Sequence, residues 1–342
     1  MLRPERDGPA ETDCMLYAAL ASLLAALLIA GVAARHLVFP LQPAKAHLPA
    51  LGDAQRLTAL DLEAHVRAIA SEPHNLAHPK ALEQAALYIE ETLVRFGYDV
   101  RWQVFDVAGH QVRNIEVVLH PTDSAARTLV IGAHYDSADD SPGANDNGTG
   151  VAALLEVARM LSERPLAPKQ RVRLVFFVNE EQPYGKTENM GSMRHARALV
   201  AQEEAVTGMI ALETLGYFSS VKGSQRLPFP FNWLYSDRGD FVAFIGLPGA
   251  RAFLGAAVRA FRASGAFPAT GTIAPASIEG ADLSDHWSYH QIGVPALMIT
   301  DTALYRNPFY HQPFDTPDTV DYASLARITQ CLDAMVRTLA AG

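Results

Sequence analysis

Histidines and carboxylates recur along this 342-residue chain at the ends of short apolar runs, where side chains can meet to hold a metal and activate water. Residues 129–137 (LVIGAHYDS) set His134 and Asp136 just past a strand-like segment. A histidine alone at a strand end is most often structural. An aspartate two residues on can orient the imidazole through its other nitrogen, which raises His134 as a ligand candidate. In residues 142–150 (PGANDNGTG), Gly143, Gly148 and Gly150 bracket Asp146 in a tight loop that opens a helix. Helix capping by Asp146 or Asn147 is the plainer reading. Asn147-Gly148-Thr149 fits a glycosylation sequon, but a loop needed inside a site is a poor acceptor. Residues 171–185 (RVRLVFFVNEEQPYG) deliver Glu180 and Glu181 after a strongly apolar strand. Two adjacent carboxylates repel when buried, so a solvated acidic turn competes with a site that supplies a cation. A metal ligand beside a general base meets that need. Residues 209–217 (MIALETLGY) place Glu213 at another strand end, and residues 309–321 (FYHQPFDTPDTVD) present His311 in a proline-rich loop. Asp315, Thr316, Asp318 and Thr319 around it are natural supporting and capping groups, while Asp285 and His286 of SDHWS read as loop-fixing or substrate-contacting.

A scaffold must gather residues scattered from 134 to 311. Helical spacing appears at 57–69, 80–96, 148–161, 191–203, 251–263 and 322–339, with Gly97 as a helix stop. Strand-like runs fall at 99–105, 112–119, 129–133, 171–178, 209–212 and 294–299. Short apolar runs alternating with helices predict an α/β fold, a three-layer α-β-α sandwich around a mixed, mostly parallel sheet covered on both faces. In such sheets ligands sit beyond the carboxyl ends of the strands, where these polar residues fall.

Composition narrows the function classes. Net charge is -9 with no basic run, which argues against nucleic-acid binding. The two cysteines, Cys14 and Cys331, lie at opposite ends of the chain and offer neither a disulfide framework nor thiolate spacing for zinc. Any metal is therefore held by histidines and carboxylates. Residues 15–34 carry no charge and are long enough to cross a bilayer as a helix. A cleaved signal peptide ending at Val32-Ala33-Ala34 is the rival reading, though the apolar run is long for one and a mixed-charge tail precedes it. The expected organisation is a tail over 1–14, a transmembrane anchor over 15–34, a linker over 35–52 and a catalytic domain over 53–342. Arg3 and Arg6 before the span and Arg35 and Lys45 after it barely bias its orientation; the bulk is placed on the extracytoplasmic side. Cys14 at the membrane edge is an acylation candidate, more simply left unmodified.

Taken in order, HxD, GANDNGTG, NEE, the Glu of ALET, SDHWS and HQPFDTPDT resemble the zinc aminopeptidase family, whose relatives include bacterial leucyl aminopeptidase, glutamate carboxypeptidase, glutaminyl cyclase and the transferrin receptor. The likeness spans roughly residues 55–340, with SEPHNLAHP similar to that family's usual opening motif. The resemblance implies a zinc metallo-exopeptidase with a co-catalytic pair of zinc ions. Asp146 would bridge the ions, His134 and Glu213 would complete one site, and Glu181 and His311 the other. Glu180 would be the general base, and Asp136 would hold His134 in its ligand tautomer. Glu213 departs from the family's aminopeptidases, where that carboxylate is commonly Asp. The implied partners are a peptide or aminoacyl substrate and the membrane, with no nucleic acid. Arg306 and Tyr305, just before His311, are placed to face substrate, which keeps a carboxypeptidase-type hydrolase open. A single-zinc, glutaminyl-cyclase-like acyltransferase and a catalytically inactive binding domain also stay open, and cobalt or manganese suits similar ligands.

Overall fold

A computed structural model describes residues 10–39, 48–121 and 126–342, in two compact units, Met1–Phe39 and Pro40–Gly342. The first unit is helix α1 (Ala10–Leu37) followed by the short strand β1 (Val38–Phe39). Its stretch Met15–Ala33 is exposed throughout and is long and apolar enough to cross a membrane. A retained anchor and a signal sequence share those properties. The helix begins inside the expected tail and ends inside the expected linker. Residues 1–9 of that tail and 40–47 of that linker lie outside the described residues, as does the side chain of Cys14.

The second unit opens with helices α2 (Asp53–Ile69) and α3 (Pro79–Arg95), then strands β2 (Arg101–Val107), β3 (His110–Leu119) and β4 (Thr128–His134). Helix α4 (Thr149–Glu163), strand β5 (Arg171–Phe177), helix α5 (Gly191–Ala201) and strand β6 (Val206–Glu213) follow. The short helix α6 (Phe231–Leu234), strand β7 (Val242–Gly246), helix α7 (Arg251–Ala263), strand β8 (Ala269–Ile273), helix α8 (His286–Gln291), strand β9 (Ala296–Thr300) and helix α9 (Tyr322–Ala340) complete it. Strands β2–β9 form one mixed sheet in the order β8-β7-β9-β6-β4-β5-β3-β2. The central ladders β5–β4–β6–β9 are parallel, whereas β2–β3, β3–β5 and β7–β9 are antiparallel.

The middle of the sheet is set by composition. Every residue of β4 (TLVIGAH) is buried, and β5 and β6 are buried over most of their length. Only a strand covered on both faces carries such a continuous run. One face packs against α4 and α7, and α2 and α9 pack in turn on those helices. The other packs through Val130, Val175 and Met209 against Ala196 and Leu199 of α5 and Tyr289 of α8. Parallel neighbours β5, β4 and β6 end side by side, so the residues that follow them emerge at one edge. Strands β7 and β8 were not among the sequence expectations. Each has five residues, with Ala, Gly and Thr diluting the apolar pattern.

A buried ion network ties β3, β5 and the segment after α5 together. Arg173, 7% exposed, donates from Nη1 to Glu116 (2.8 Å) and from Nη2 to Glu204 (2.7 Å). Burial raises the Glu116 carboxyl, but His195 and Arg173 overcome it and hold its pKa down to about 2; Glu204 is likewise held down to about 2, against burial, by Arg173 and Thr128. Because these folded-state values are depressed, their stabilisation is present above the ordinary carboxylate range and is lost as pH falls through about 2. Arg173→Met is expected to strand two acids and cost about 3–5 kcal/mol at neutral pH. Urea unfolding at pH 7 checks it, and an unchanged midpoint would mean that the network is energetically idle.

Candidate metal centre

His134 ends β4 with its ring fully enclosed. Its Nδ1 lies 3.0 Å from the main-chain carbonyl oxygen of Asp136. A carbonyl only accepts, so Nδ1 carries the hydrogen and the neutral ring presents a bare Nε2. That nitrogen faces Asp146 Oδ1 and Glu213 Oε2, each at 3.4 Å, and Glu180 Oε2 at 3.9 Å. The ring is therefore hydrogen-bonded to the main chain of Asp136, whereas the Asp136 carboxylate was expected to orient it. The carboxylate, with Oδ1 3.7 Å from Nδ1, accepts the main-chain N–H groups of Glu180 (3.0 Å) and Glu181 (3.2 Å) and so pins the turn after β5. Glu213, one bond longer than aspartate, still reaches the cluster from the end of β6.

Asp146 is delivered by a loop that the sheet could not form alone. Gly143 sits at φ +71°, and a Cβ there would lie 2.6 Å from the Asp146 carbonyl oxygen. Asp315 then accepts the N–H of Asn145 (2.9 Å) and of Asp146 (3.0 Å) on its two oxygens. Asp301 takes the Asn145 amide (3.0 Å) and the N–H of Tyr217 (2.8 Å). Asn147 spends its side chain on Leu212 O and Thr214 N, and it is 1% exposed, so the sequon is out of reach of a glycosyl donor. The second oxygen of Asp146 lies 3.0 Å from Nε2 of His311, and that nitrogen is 3.4 Å from Glu181 Oε1. His311 adopts φ 56° in its loop and stacks on Tyr310, ring centroids 3.9 Å apart. Asp315→Ala removes the acceptor of two buried N–H groups, each worth about 1–3 kcal/mol when left unmade. A lowered melting temperature together with weaker metal retention is the expected outcome; a melt matching the unaltered protein would remove Asp315 from this role.

Electrostatically the cluster lacks a cation. Burial pushes the Glu213 carboxyl up to about 8 and Glu181 up to about 7, Asp146 adding to both, and burial raises Glu180 well above the carboxylate range. Burial disfavours the charged His134 ring, yet Glu213, Asp136 and Asp146 raise its pKa well above that of ordinary histidine. Among the described residues, His134 Nε2, His311 Nε2 and Glu181 Oε1 are buried without a hydrogen-bond partner, and each points into the cluster. The ligand atoms of His134, Asp146 and Glu213 lie within 4.8 Å of one another, as do those of Asp146, Glu181 and His311. His134, Glu180 and Glu181 form a third such group. Nitrogen and carboxylate donors of this kind suit zinc and similar divalent ions.

Beside Glu213 opens a cleft lined mainly by apolar groups, among them Phe231, Tyr235, Phe241, Ile245 and Met298. Among the described residues, no lysine or arginine lines it. Arg306, expected to face substrate, turns inward instead. It is 8% exposed, donates to Gln225 and to the carbonyls of Tyr217 and Phe241, and lies 4.9 Å over the Phe241 ring. Tyr305 does line the cleft, its hydroxyl bonded to Glu279 O at 2.7 Å. Asp285 and His286 are fully buried; His286 Nε2 lies 2.9 Å from the carbonyl oxygen of Ala281, whereas neither carboxylate oxygen of Asp285 has a hydrogen-bond partner among the described residues, and the residue before them, Ser284, donates to Glu213 Oε2 at 2.8 Å. Sequence reasoning missed Ser284, Asp301 and the positions they hold.

The sequence pattern of peptidase family M28 matches residues 114–336. The uncharacterized protein YfbL of Escherichia coli (strain K12) is 40% identical over 266 residues, covering 73% of this chain and 80% of that protein. The zinc aminopeptidase BSAP of Bacillus subtilis superposes with a TM-score of 0.63 at 16% identity, covering 84% of this chain and 95% of that one. Porphyromonas gingivalis glutaminyl cyclase does so with 0.61 at 20% identity, over 82% and 97%. At these identities the two structures establish the fold alone.

Proposed function

The chain belongs to peptidase family M28, and on that premise we propose that it is a membrane-anchored, zinc-dependent aminopeptidase. The observation that carries two ions per chain is Asp146, whose oxygens face different histidines, His134 at 3.4 Å and His311 at 3.0 Å. His134 and Glu213 would hold one ion, Glu181 and His311 the other, and Asp146 would serve both. When bound, zinc lowers the pKa of water and polarises a carbonyl. Glu180 takes the proton from the attacking water and hands it to the leaving amine. Asp136 keeps Glu180 and Glu181 side by side through their N–H groups.

The choice of chain end rests on charge. A substrate carboxylate needs a cation, and among the described residues none lines the cleft, Arg306 being turned to carbonyls and aromatic rings. A free α-amine instead meets the carboxylates of the metal cluster, and the apolar cleft receives the adjoining side chain. Two zinc ions per purified chain and hydrolysis of amino-terminally free but not blocked peptides are expected. One ion with ammonia release from amino-terminal glutamine favours the cyclase-like reading, and hydrolysis of blocked peptides alone overturns the aminopeptidase reading. The anchor is α1, with the catalytic unit on the extracytoplasmic side; protease protection in intact cells tests that placement.

Metal uptake should be coupled to protons. In the metal-free protein Glu213 and Glu181 titrate near 8 and 7, held up first by burial, so each gives up its proton to become a ligand. Zinc affinity therefore falls as pH drops from 8 toward 6. Calorimetric titrations in buffers of different ionisation enthalpy should count at least one proton released per chain at pH 7, and zero release would contradict this.

A further inference from the structure

The segment from Thr214 to Ser236 contains Lys222 and Arg226 but no acidic residue, in a chain of net charge -9. Within it, residues 227–235 (LPFPFNWLY) form a two-sided loop. Leu227, Pro228 and Phe231 line the apolar cleft. On the outer side Phe229 is 67% exposed and Trp233 80%, packed edge to face with ring centroids 5.2 Å apart. None of the residues of α6 is buried. The loop is nonetheless held to the domain, because Tyr235 donates to Gly271 O at 3.2 Å and the N–H of Arg226 donates to Tyr305 O at 3.0 Å. Paired aromatic side chains left in water on a fixed support mark a surface that binds something apolar.

We propose that residues 227–235 dock onto the bilayer, seating Phe229 and Trp233 at the boundary between headgroups and acyl chains, with Lys222 and Arg226 against anionic headgroups. The inference rests on the anchored reading given above. Tryptophan and phenylalanine beside basic residues are the composition of membrane-interface segments. The same chain carries an exposed apolar helix long enough to cross a membrane. Residues 38–52, at roughly 3.3–3.6 Å each, limit the start of α2 to about 50–55 Å from the end of α1. A tether of that reach makes insertion an intramolecular step, so two aromatic side chains suffice where a free domain would need a larger patch. Because the loop's inner side forms the cleft, docking opens the cleft at the membrane surface, which favours apolar or amphipathic aminoacyl substrates presented there.

The test uses the full chain in nanodiscs of phosphatidylcholine and phosphatidylglycerol, with or without bromine on the acyl chains. The chain's tryptophans are Trp102, Trp233 and Trp287, and none lies in α1, so quenching reports the catalytic unit alone. Brominated chains should lower total emission by up to about a third, the share of a single interfacial tryptophan. Trp233→Phe should abolish that loss while keeping hydrolysis of a soluble aminoacyl amide, which certifies its fold. Lys222→Glu with Arg226→Glu should reduce quenching in anionic discs and leave it unchanged in pure phosphatidylcholine. Equal quenching in Trp233→Phe overturns the proposal. So does an unquenched chain that stays in the disc through alkaline extraction, including one that reads as two copies per disc by mass, where a second chain covers the loop. A chain released by alkaline extraction instead refutes the anchor itself, and this inference with it.

Discussion

Glu180→Gln should cut kcat by roughly 10²–10⁴-fold, the usual worth of a positioned general base. Zinc content and melting temperature should not move, because the substitution keeps the shape and the main-chain N–H that Asp136 Oδ1 accepts at 3.0 Å. Glu180 stands apart from its neighbour in the cluster. Its side chain is 13% exposed against 7% for Glu181, and its Oε2 is farther from His134 Nε2, at 3.9 Å, than those of Asp146 and Glu213 at 3.4 Å. Burial, with Glu181 and Glu213 nearby, raises its pKa well above the carboxylate range, which suits a group that must both take and return a proton near neutrality. A loss in kcat with KM little changed is the signature of an interaction made in the transition state. Steady-state kinetics on a free-amine peptide, read beside a zinc count, decide it. Turnover at the unaltered rate would assign the proton transfer elsewhere, and a loss of zinc would make Glu180 a ligand.

Much of this architecture is written locally. β4 and β5 are apolar runs whose ends are marked by His134 and Glu180-Glu181, and α9 announces itself by helical spacing with Asp321 accepting the N–H of Ser324 at 3.0 Å as its cap. The convergence of His134, Asp146, Glu181, Glu213 and His311 follows from β5, β4 and β6 lying side by side, and that strand order is fixed by pairings no local pattern contains. What escaped the sequence depends on distant partners. Asp315 reads as a supporting group in the sequence, but its target does not, for it holds Asn145 across 170 residues, just as Ser284 reaches Glu213 across 71. Arg306 sits four residues after Thr302 in a loop leading to His311, and nothing local reveals that carbonyls of Tyr217 and Phe241 draw it inward. Strand β8 has only five residues (ATGTI), too few and too diluted by Thr and Gly to stand out as an apolar run, although four of them are buried.

Asp146→Asn should remove both ions rather than one. The carboxylate sends Oδ1 toward His134 and Oδ2 toward His311, so either site without it keeps one histidine and one glutamate. An asparagine offers one neutral oxygen and turns an N–H₂ toward the other site, where the histidine Nε2 is bare but no ion can accept a donor. His311→Ala is the control. It leaves His134, Asp146 and Glu213 intact, so one ion should stay bound and the metal count should fall from two toward one. Peptide hydrolysis is expected to fall below detection in Asp146→Asn and to survive at a reduced level in His311→Ala. Elemental analysis after gel filtration, beside kinetics at saturating zinc, separates the two variants. Retention of both ions in Asp146→Asn would show that the sites are independent and that no carboxylate is shared. Equal metal loss in both variants would instead show a single ion held by the whole cluster, because only one shared ion makes every ligand equally necessary.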